Sequence, residues 1–251
     1  MKILVIGGSG LIGRQVVAEL KKRGHEVLAG SPDTGINTIT GEGLAEAMTN
    51  TDIVVDLANS PSFKDEDVMA FFQKSGTNLL AAEIRAGVKL HVALSIVGVD
   101  IMQNVGYMRA KKVQEDLIIR SGVPYTIIRS TQFFEFLKGI ADQATVDNQV
   151  HLSDVDFQPI AAVDVAAFVT EYALSSPVNG RVEIAGPECY PLFELVASYL
   201  GQVGDARKVT GDGMPSYYGG EIGHSALVPA GEARLGNTSF QKWVAAQLQK
   251  A

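Results

Sequence analysis

A four-residue apolar run, Ile3–Ile6, passes without a spacer into Gly7-Gly8-Ser9-Gly10-Leu11-Ile12-Gly13, and a helical pattern opens there. The segment satisfies G-x-G-x-x-G through Gly8, Gly10 and Gly13, and G-x-x-G-x-x-G through Gly7, Gly10 and Gly13. A strand that turns at once into a helix needs one glycine for the turn. A second lets backbone amides approach an anion, and a third lets helix and strand pack closely. The open amides and the positive end of the helix dipole then favour a phosphate. The strand–turn–helix context is what separates this match from a chance one. Gly7, Gly8, Ser9, Gly10, Leu11, Ile12 and Gly13 are therefore expected to cradle the pyrophosphate of a dinucleotide.

The next 120 residues repeat the alternation. Leu11–Arg23 reads as a helix closed by Gly24, Glu26–Ala29 as a strand and Ile53–Leu57 as another. Asp65–Gln73 and Asn78–Arg85 read as two helices, with Gly87 ending the second. Val88–Ser95 is a strand, Tyr107–Ser121 a helix stopped by Gly122, and Tyr125–Arg129 a strand. The strands are continuously apolar, as strands covered on both faces should be. The pattern predicts an α/β fold, a Rossmann-type doubly wound parallel sheet.

Past residue 130 the alternation loosens. Val163–Leu174 predicts a helix, Arg181–Ile184 a final strand, and Leu192–Leu200 and Ser239–Leu248 further helices. Gly201–Gly236, rich in glycine and proline, reads as long loops, and loops of that length usually cover a site. The expected division is a cofactor-binding domain over 1–187 and a smaller substrate-capping region over 188–251, with 131–158 contributing to the pocket. Tyr217-Tyr218-Gly219-Gly220 would form part of a lid.

Composition sets limits. The chain of 251 residues carries 21 basic and 28 acidic side chains, a net charge of −7, which argues against a nucleic-acid or membrane-surface partner. Cys189 is the one cysteine, so no internal disulfide is possible and a cysteine-based zinc site is not expected. His25, His91, His151 and His224 lack metal-ligand spacing and read as structural or surface residues. No signal-peptide core follows Met1, and no apolar run is long enough to cross a bilayer. A soluble protein of a reducing cytoplasm is the expectation; the sequence gives no oligomeric state.

The choice of dinucleotide turns on the second strand. A site for NAD usually places Asp or Glu at its tip, to accept the ribose hydroxyls. Here the strand ends Gly30-Ser31-Pro32, with Asp33 beyond as the rival acid. Arg14, just after the last glycine, can reach a 2′-phosphate, and Ser31 can hydrogen-bond it. The arrangement favours NADP(H).

Tyr107-Met108-Arg109-Ala110-Lys111 puts a phenol and an ammonium four residues apart, on one helical face. Tyrosine, with a pKa of about 10, is a poor acid–base group at neutral pH unless a cation lowers it. Lys111 would do so while holding the nicotinamide ribose, and Tyr107 would protonate a carbonyl oxygen. The spacing recurs by chance; its weight comes from opening the helix after the strand that ends at Ser95. The Ser95 hydroxyl would orient the same carbonyl or be satisfied by backbone.

These residues resemble the short-chain dehydrogenase/reductases, and more narrowly their atypical NmrA-like branch. The resemblance rests on Gly7–Gly13, on Gly76-Thr77-Asn78-Leu79-Leu80-Ala81-Ala82 followed by Ala86-Gly87-Val88, and on Ser95, Tyr107 and Lys111. Arg129-Ser130-Thr131-Gln132-Phe133 is similar to the segment that passes the nicotinamide, with Ser130 in place of a proline. Gln158–Ile160 and Asp164–Ala166 add to it. The resemblance implies a nicotinamide cofactor, with Ala58, Asn59 and Ser60 flanking the adenine and its ribose and Gln132 near the nicotinamide. Phe133 and Phe136, beside Gln132, would line the substrate pocket. The leading expectation is an NADPH-dependent carbonyl reductase acting on a ketone or aldehyde. A cofactor-sensing binding protein and an NADPH-quinone reductase stand as alternatives.

Overall fold

The computed structural model describes residues 1–217 and 220–249. Its centre is a seven-stranded sheet built from the apolar runs: β1 (Lys2–Ile6), β2 (Glu26–Gly30), β3 (Ile53–Asp56), β4 (Leu90–Ile96), β5 (Tyr125–Ser130), β6 (Gly180–Ala185) and β7 (Arg234–Leu235). All neighbours pair in parallel, in the order β7-β6-β5-β4-β3-β1-β2. This is the doubly wound α/β fold expected from the sequence. The direction of winding reverses between β1 and β3, and in such sheets the crevice beyond the carboxyl ends at that reversal is where ligands bind.

Among the described residues eight helices accompany the strands: α1 (Gly13–Lys22), α2 (Leu44–Met48), α3 (Asp65–Ala86), α4 (Gly106–Arg120), α5 (Leu137–Gln143), α6 (Ala162–Ala173), α7 (Leu192–Gln202) and α8 (Phe240–Leu248). Alternate residues of each strand face opposite layers. Ile3 and Val5 pack with Val16 of α1 and Val165 and Val169 of α6. Leu4 and Val54 meet Leu44 and Met48 of α2 and Leu79 of α3, while Ala93 and Ile127 meet Leu80 and Ile118 of α3 and α4. A third core, with Phe134, Phe157, Leu195 and Trp243, lies under α5, α7 and α8.

The structure differs from the sequence reading in several places, beginning with helices α2 and α5, which the sequence reading does not contain. Asp65–Gln73 and Asn78–Arg85 are parts of one helix, α3, because Gly76 is buried where a Cβ would press on Leu117 of α4 at 3.1 Å. Close packing of two helices repays the roughly 0.5–1 kcal/mol that a mid-helix glycine costs. The first helix starts at Gly13, so Leu11 and Ile12 belong to the turn. Arg181–Ile184 is not the last strand of the sheet, since Arg234 and Leu235 pair with Ile184 and Ala185. The stretch 201–236 also holds strand Lys208–Thr210, which joins Gln149–His151 and Thr145–Val146 in a small sheet, and a pair of two-residue strands, Ser216–Tyr217 and Gly220–Glu221. Tyr218 and Gly219 of the expected lid lie outside the described residues.

Gly7 adopts a left-handed φ of 73°, and its Cβ would stand 2.6 Å from the Leu57 carbonyl oxygen. At Gly13 the added atom would meet the Gly7 oxygen at 2.1 Å and the Gly8 Cα at 2.7 Å, both backbone. Gly139, in α5, has nothing near its missing Cβ. Gly13→Ala should therefore cost about 2 kcal/mol or more and lower Tm by roughly 4–8 °C. Gly139→Ala, measured in the same melts, should be neutral or stabilising by up to about 1 kcal/mol.

Candidate active site

A cavity of about 640 Å³ opens beyond the carboxyl ends of β1, β3, β4 and β5, at the reversal of the winding. One wall is the glycine turn, through Gly7, Gly10, Leu11, Ile12 and Gly13. The Gly7 carbonyl accepts from the Gly10 amide at 3.0 Å and fixes the turn. No side chain caps the N-terminus of α1, and its first turn holds no acid, so this end of the helix stays electropositive. Gly8 is buried against Ala29 of β2, and Ser9 lies exposed on the loop.

Arg14, Ser31 and Asp33 stand outside this cavity. Arg14 is exposed on the first turn of α1. Ser31 and Asp33 belong to one tight turn at the end of β2, where the Ser31 amide donates to the Thr34 hydroxyl at 2.9 Å. In the loop after β3, Leu57, Ala58 and Asn59 line the cavity, while the buried Ser60 hydroxyl accepts from the Ser62 amide.

Helix α4 crosses the floor and presents Tyr107 and Lys111. The Tyr107 hydroxyl donates to Asn59 Oδ1 at 3.1 Å, and its ring meets Phe72 edge-on. Asn59 thus stands at the phenol, not only at the ribose end that the family resemblance implied. Lys111 is buried, 4.7 Å from the centre of the Phe72 ring. Its ammonium donates to the Leu94 carbonyl at 2.8 Å and to Gln114 Oε1, and Gln114 Nε2 donates to the buried Asp56 carboxylate at 2.7 Å. Burial pulls the Lys111 pKa down from 10.5 to about 8, against the opposing pull of Asp56 and Glu115.

Ser95 reaches the cavity wall from β4, but its hydroxyl donates to Glu115 Oε1 of α4 at 2.6 Å. The same carboxylate takes two bonds from Arg129, at 2.9 and 2.7 Å, and one from Arg181 at 2.8 Å. Burial opposes ionisation of Glu115, yet the bonds from Arg129 and Ser95 hold its carboxyl below the usual range. The Ser95 proton is thus held by a structural carboxylate.

Beyond β5, Thr131, Gln132, Phe133 and Phe136 complete the wall. Phe133 and Phe136 stack with ring centres 5.2 Å apart. Gln132 Oε1 accepts from the Tyr217 hydroxyl, which ties the late segment over the cavity. Sequence reasoning missed Thr131, whose buried hydroxyl finds no partner among the described residues, and Glu135, which caps α6 through the Ala162 amide and accepts from Trp243. It also missed Asp56, Gln114 and Glu115, because their partners lie on other elements.

Residues 7–176 match the family model described as NAD(P)H-binding. The photosystem II assembly factor Ycf39 of Synechocystis sp. is 27% identical over 214 residues, covering 78% of this chain and 66% of that protein. The chloroplastic divinyl chlorophyllide a 8-vinyl-reductase of Arabidopsis thaliana is 28% identical over 225 residues, covering 74% of this chain and 54% of that one. The chain thus spans just under two thirds of the first relative and about half of the second. A solved dTDP-4-dehydrorhamnose reductase from Clostridium acetobutylicum shares the fold, with a TM-score of 0.80 over 99% of this chain and 100% of that one, at 17% identity. The family match runs from the glycine turn through the Tyr107–Lys111 helix to the end of α6, well over half of the sequence, and the chain belongs to the NAD(P)H-binding family.

Proposed function

We propose that the protein is an NADPH-dependent carbonyl reductase of the short-chain dehydrogenase/reductase type. The observation that carries this reading is the convergence of Tyr107, Lys111 and the glycine turn on one cavity. The residues fit a dinucleotide. Side chains at Gly7 and Gly13 would collide with backbone, the helix end is uncapped, and the Thr131 hydroxyl is buried without a partner among the described residues. The turn residues would hold the pyrophosphate, Lys111 the nicotinamide ribose, and Gln132 and Thr131 the nicotinamide end. The preference for NADPH rests on β2, which ends at Gly30 without an acid, and on Arg14 and Ser31 near the expected 2′-phosphate.

When bound, NADPH supplies a hydride to the carbonyl carbon. Tyr107 gives its phenolic proton to the carbonyl oxygen, so the substrate leaves as an alcohol and the phenol is reprotonated from solvent. Asn59 aims the hydroxyl before substrate arrives. The Lys111 ammonium, one turn along the same helical face, stabilises the phenolate that forms. Phe133 and Phe136 would hold the apolar body of the substrate. The 8-vinyl-reductase relative supports a second reading, reduction of a vinyl group.

A panel of ketones, aldehydes, quinones and conjugated vinyl compounds, run with NADPH and with NADH, tests the reading. Tyr107→Phe should lower kcat on carbonyls about 100-fold or more and leave the Kd for NADPH within about threefold; full activity would overturn the assignment. Tight NADPH binding with no turnover of any compound would favour the sensing alternative.

The buried ammonium gives a pH signature. Its pKa in the folded protein is about 8, so the charged form is lost as pH rises through that value. The kcat/KM for NADPH, which reports groups of the free protein, should fall on that limb. Lys111→Met should be about tenfold weaker at pH 7, a loss of roughly 1.4 kcal/mol, and flat across it. Ser95→Ala should cost about 1–2 kcal/mol of stability in urea titrations and leave kcat within about threefold. A hundredfold loss of kcat with unchanged stability would return Ser95 to the carbonyl.

A further inference from the structure

The substrate end of the cavity holds a second polar device that the proton donor and the cofactor turn do not use. His151 ends the middle strand of the small sheet, Gln149–His151, and lines the cavity. Its register partner on the neighbouring strand is Thr210, and Asp212 follows two residues later. His151 Nδ1 stands 3.0 Å from Asp212 Oδ1 and 3.2 Å from the Thr210 hydroxyl oxygen, and that hydroxyl donates to the same carboxylate oxygen. Gly213 lets the loop come this close: its amide donates to the Leu152 carbonyl at 2.9 Å, and a Cβ there would meet the His151 oxygen at 2.9 Å. The histidine is therefore held by sheet register, by a carboxylate and by a hydroxyl.

The chemistry of the partners fixes the tautomer. Hydrogen bonds from Thr210 and His151 hold the Asp212 carboxyl below its usual range, so it is an ionised acceptor. Nδ1 must then carry the proton, which leaves the lone pair of the neutral ring on Nε2, at the opposite edge. A lone pair there accepts from a hydroxyl and offers nothing to an ether or a carbonyl. The surrounding wall is largely apolar: Phe157, Leu192, Ile140, Leu152 and Met214 share it with His151.

We propose that His151, oriented by Asp212 and Thr210, is a specificity-determining residue that accepts a hydrogen bond from a hydroxyl on the substrate, at the end remote from the reacting carbon. The substrate class is then an apolar, ring-bearing carbonyl compound with a distal phenol or alcohol. The inference rests on the reductase reading for the identity of the reacting end only, and binding tests it apart from turnover. Three ligands serve as probes: 4-(4-hydroxyphenyl)butan-2-one, its deoxy parent 4-phenylbutan-2-one, and the methyl ether. Each is titrated calorimetrically into the protein with saturating NADP+, and turnover of each with NADPH is followed in parallel.

The native protein should bind the phenol about tenfold more tightly than the parent, the factor one hydrogen bond supplies. His151→Phe should bind phenol and parent equally. Asp212→Asn, which keeps the shape but can donate to Nδ1, should move the ring proton to Nε2 and shift the preference from phenol to methyl ether. That reversal is a readout a merely structural role would not move. Equal binding of phenol and parent by the native protein, discrimination that survives in His151→Phe, or no binding of any probe would overturn the proposal. Discrimination without hydride transfer would leave the role of His151 standing and sink the reductase reading, and transfer without discrimination would do the reverse.

Discussion

Everything at the site depends on how α4 is held against the sheet, and one buried carboxylate does most of the holding. Glu115 of α4 collects hydrogen bonds from Ser95 of β4, Arg129 of β5 and Arg181 of β6. Three adjacent strands are thereby tied to one helix at a single point. Asp100 takes a further bond from Arg129, so two carboxylates face two guanidiniums and the group is neutral as a whole. A lone charge at that depth would cost several kcal/mol; a fully bonded set does not, and its geometry permits one placement of the helix. Tyr107 and Lys111 lie two to three turns before Glu115 and one turn before it, so that placement sets where phenol and ammonium stand.

The second tie lies one turn earlier on the same helix. Lys111 bonds the Leu94 carbonyl at the end of β4 and, through Gln114, the Asp56 carboxylate at the end of β3. Helix α4 is thus fastened through Lys111 and Gln114 to β3 and β4, and one turn further on through Glu115 to β4, β5 and β6. The cavity at the winding reversal opens beside Lys111. An ammonium placed there is desolvated by its surroundings while retaining directional partners. That combination brings its pKa close to working pH without releasing it from its place.

How much of this was legible depended on whether the cause was local. The glycine turn could be read because backbone sterics within seven residues demand those glycines, and the Tyr107–Lys111 pair because helical periodicity brings positions four apart together. Six of the seven strands of the large sheet followed from short apolar runs, and the edge strand Arg234–Leu235, with no such run, did not. Gly76 misled, because a local propensity suggested a break and a tertiary contact with Leu117 overrode it. For Ser95 the sequence offers the carbonyl or a backbone partner and does not show Glu115, which lies twenty residues on, in another element. His151 was set aside as one of four scattered histidines, since Asp212 is 61 residues away and only strand register joins them. The strands concerned are three residues long, too short to show a period.

The late segment explains why the substrate end was the least legible part. It does two structural jobs that place few demands on sequence: Arg234 and Leu235 extend the sheet at its edge, and Tyr217 bonds Gln132 across the cavity. The Gln132 carbonyl in turn accepts from the Ile160 amide, so the roof is anchored to the same segment that leaves β5. Between those anchors, positions such as His151, Asp212 and Met214 are set by the backbone but not chosen by it. Their side chains neither complete the cores of the sheet nor close the phosphate turn. A wall whose residues the fold leaves free is where one scaffold can change substrates without changing its chemistry. His151 stands in that wall, joined by hydrogen bonds to Asp212 and Thr210, with Gly213 allowing the close approach of the loop.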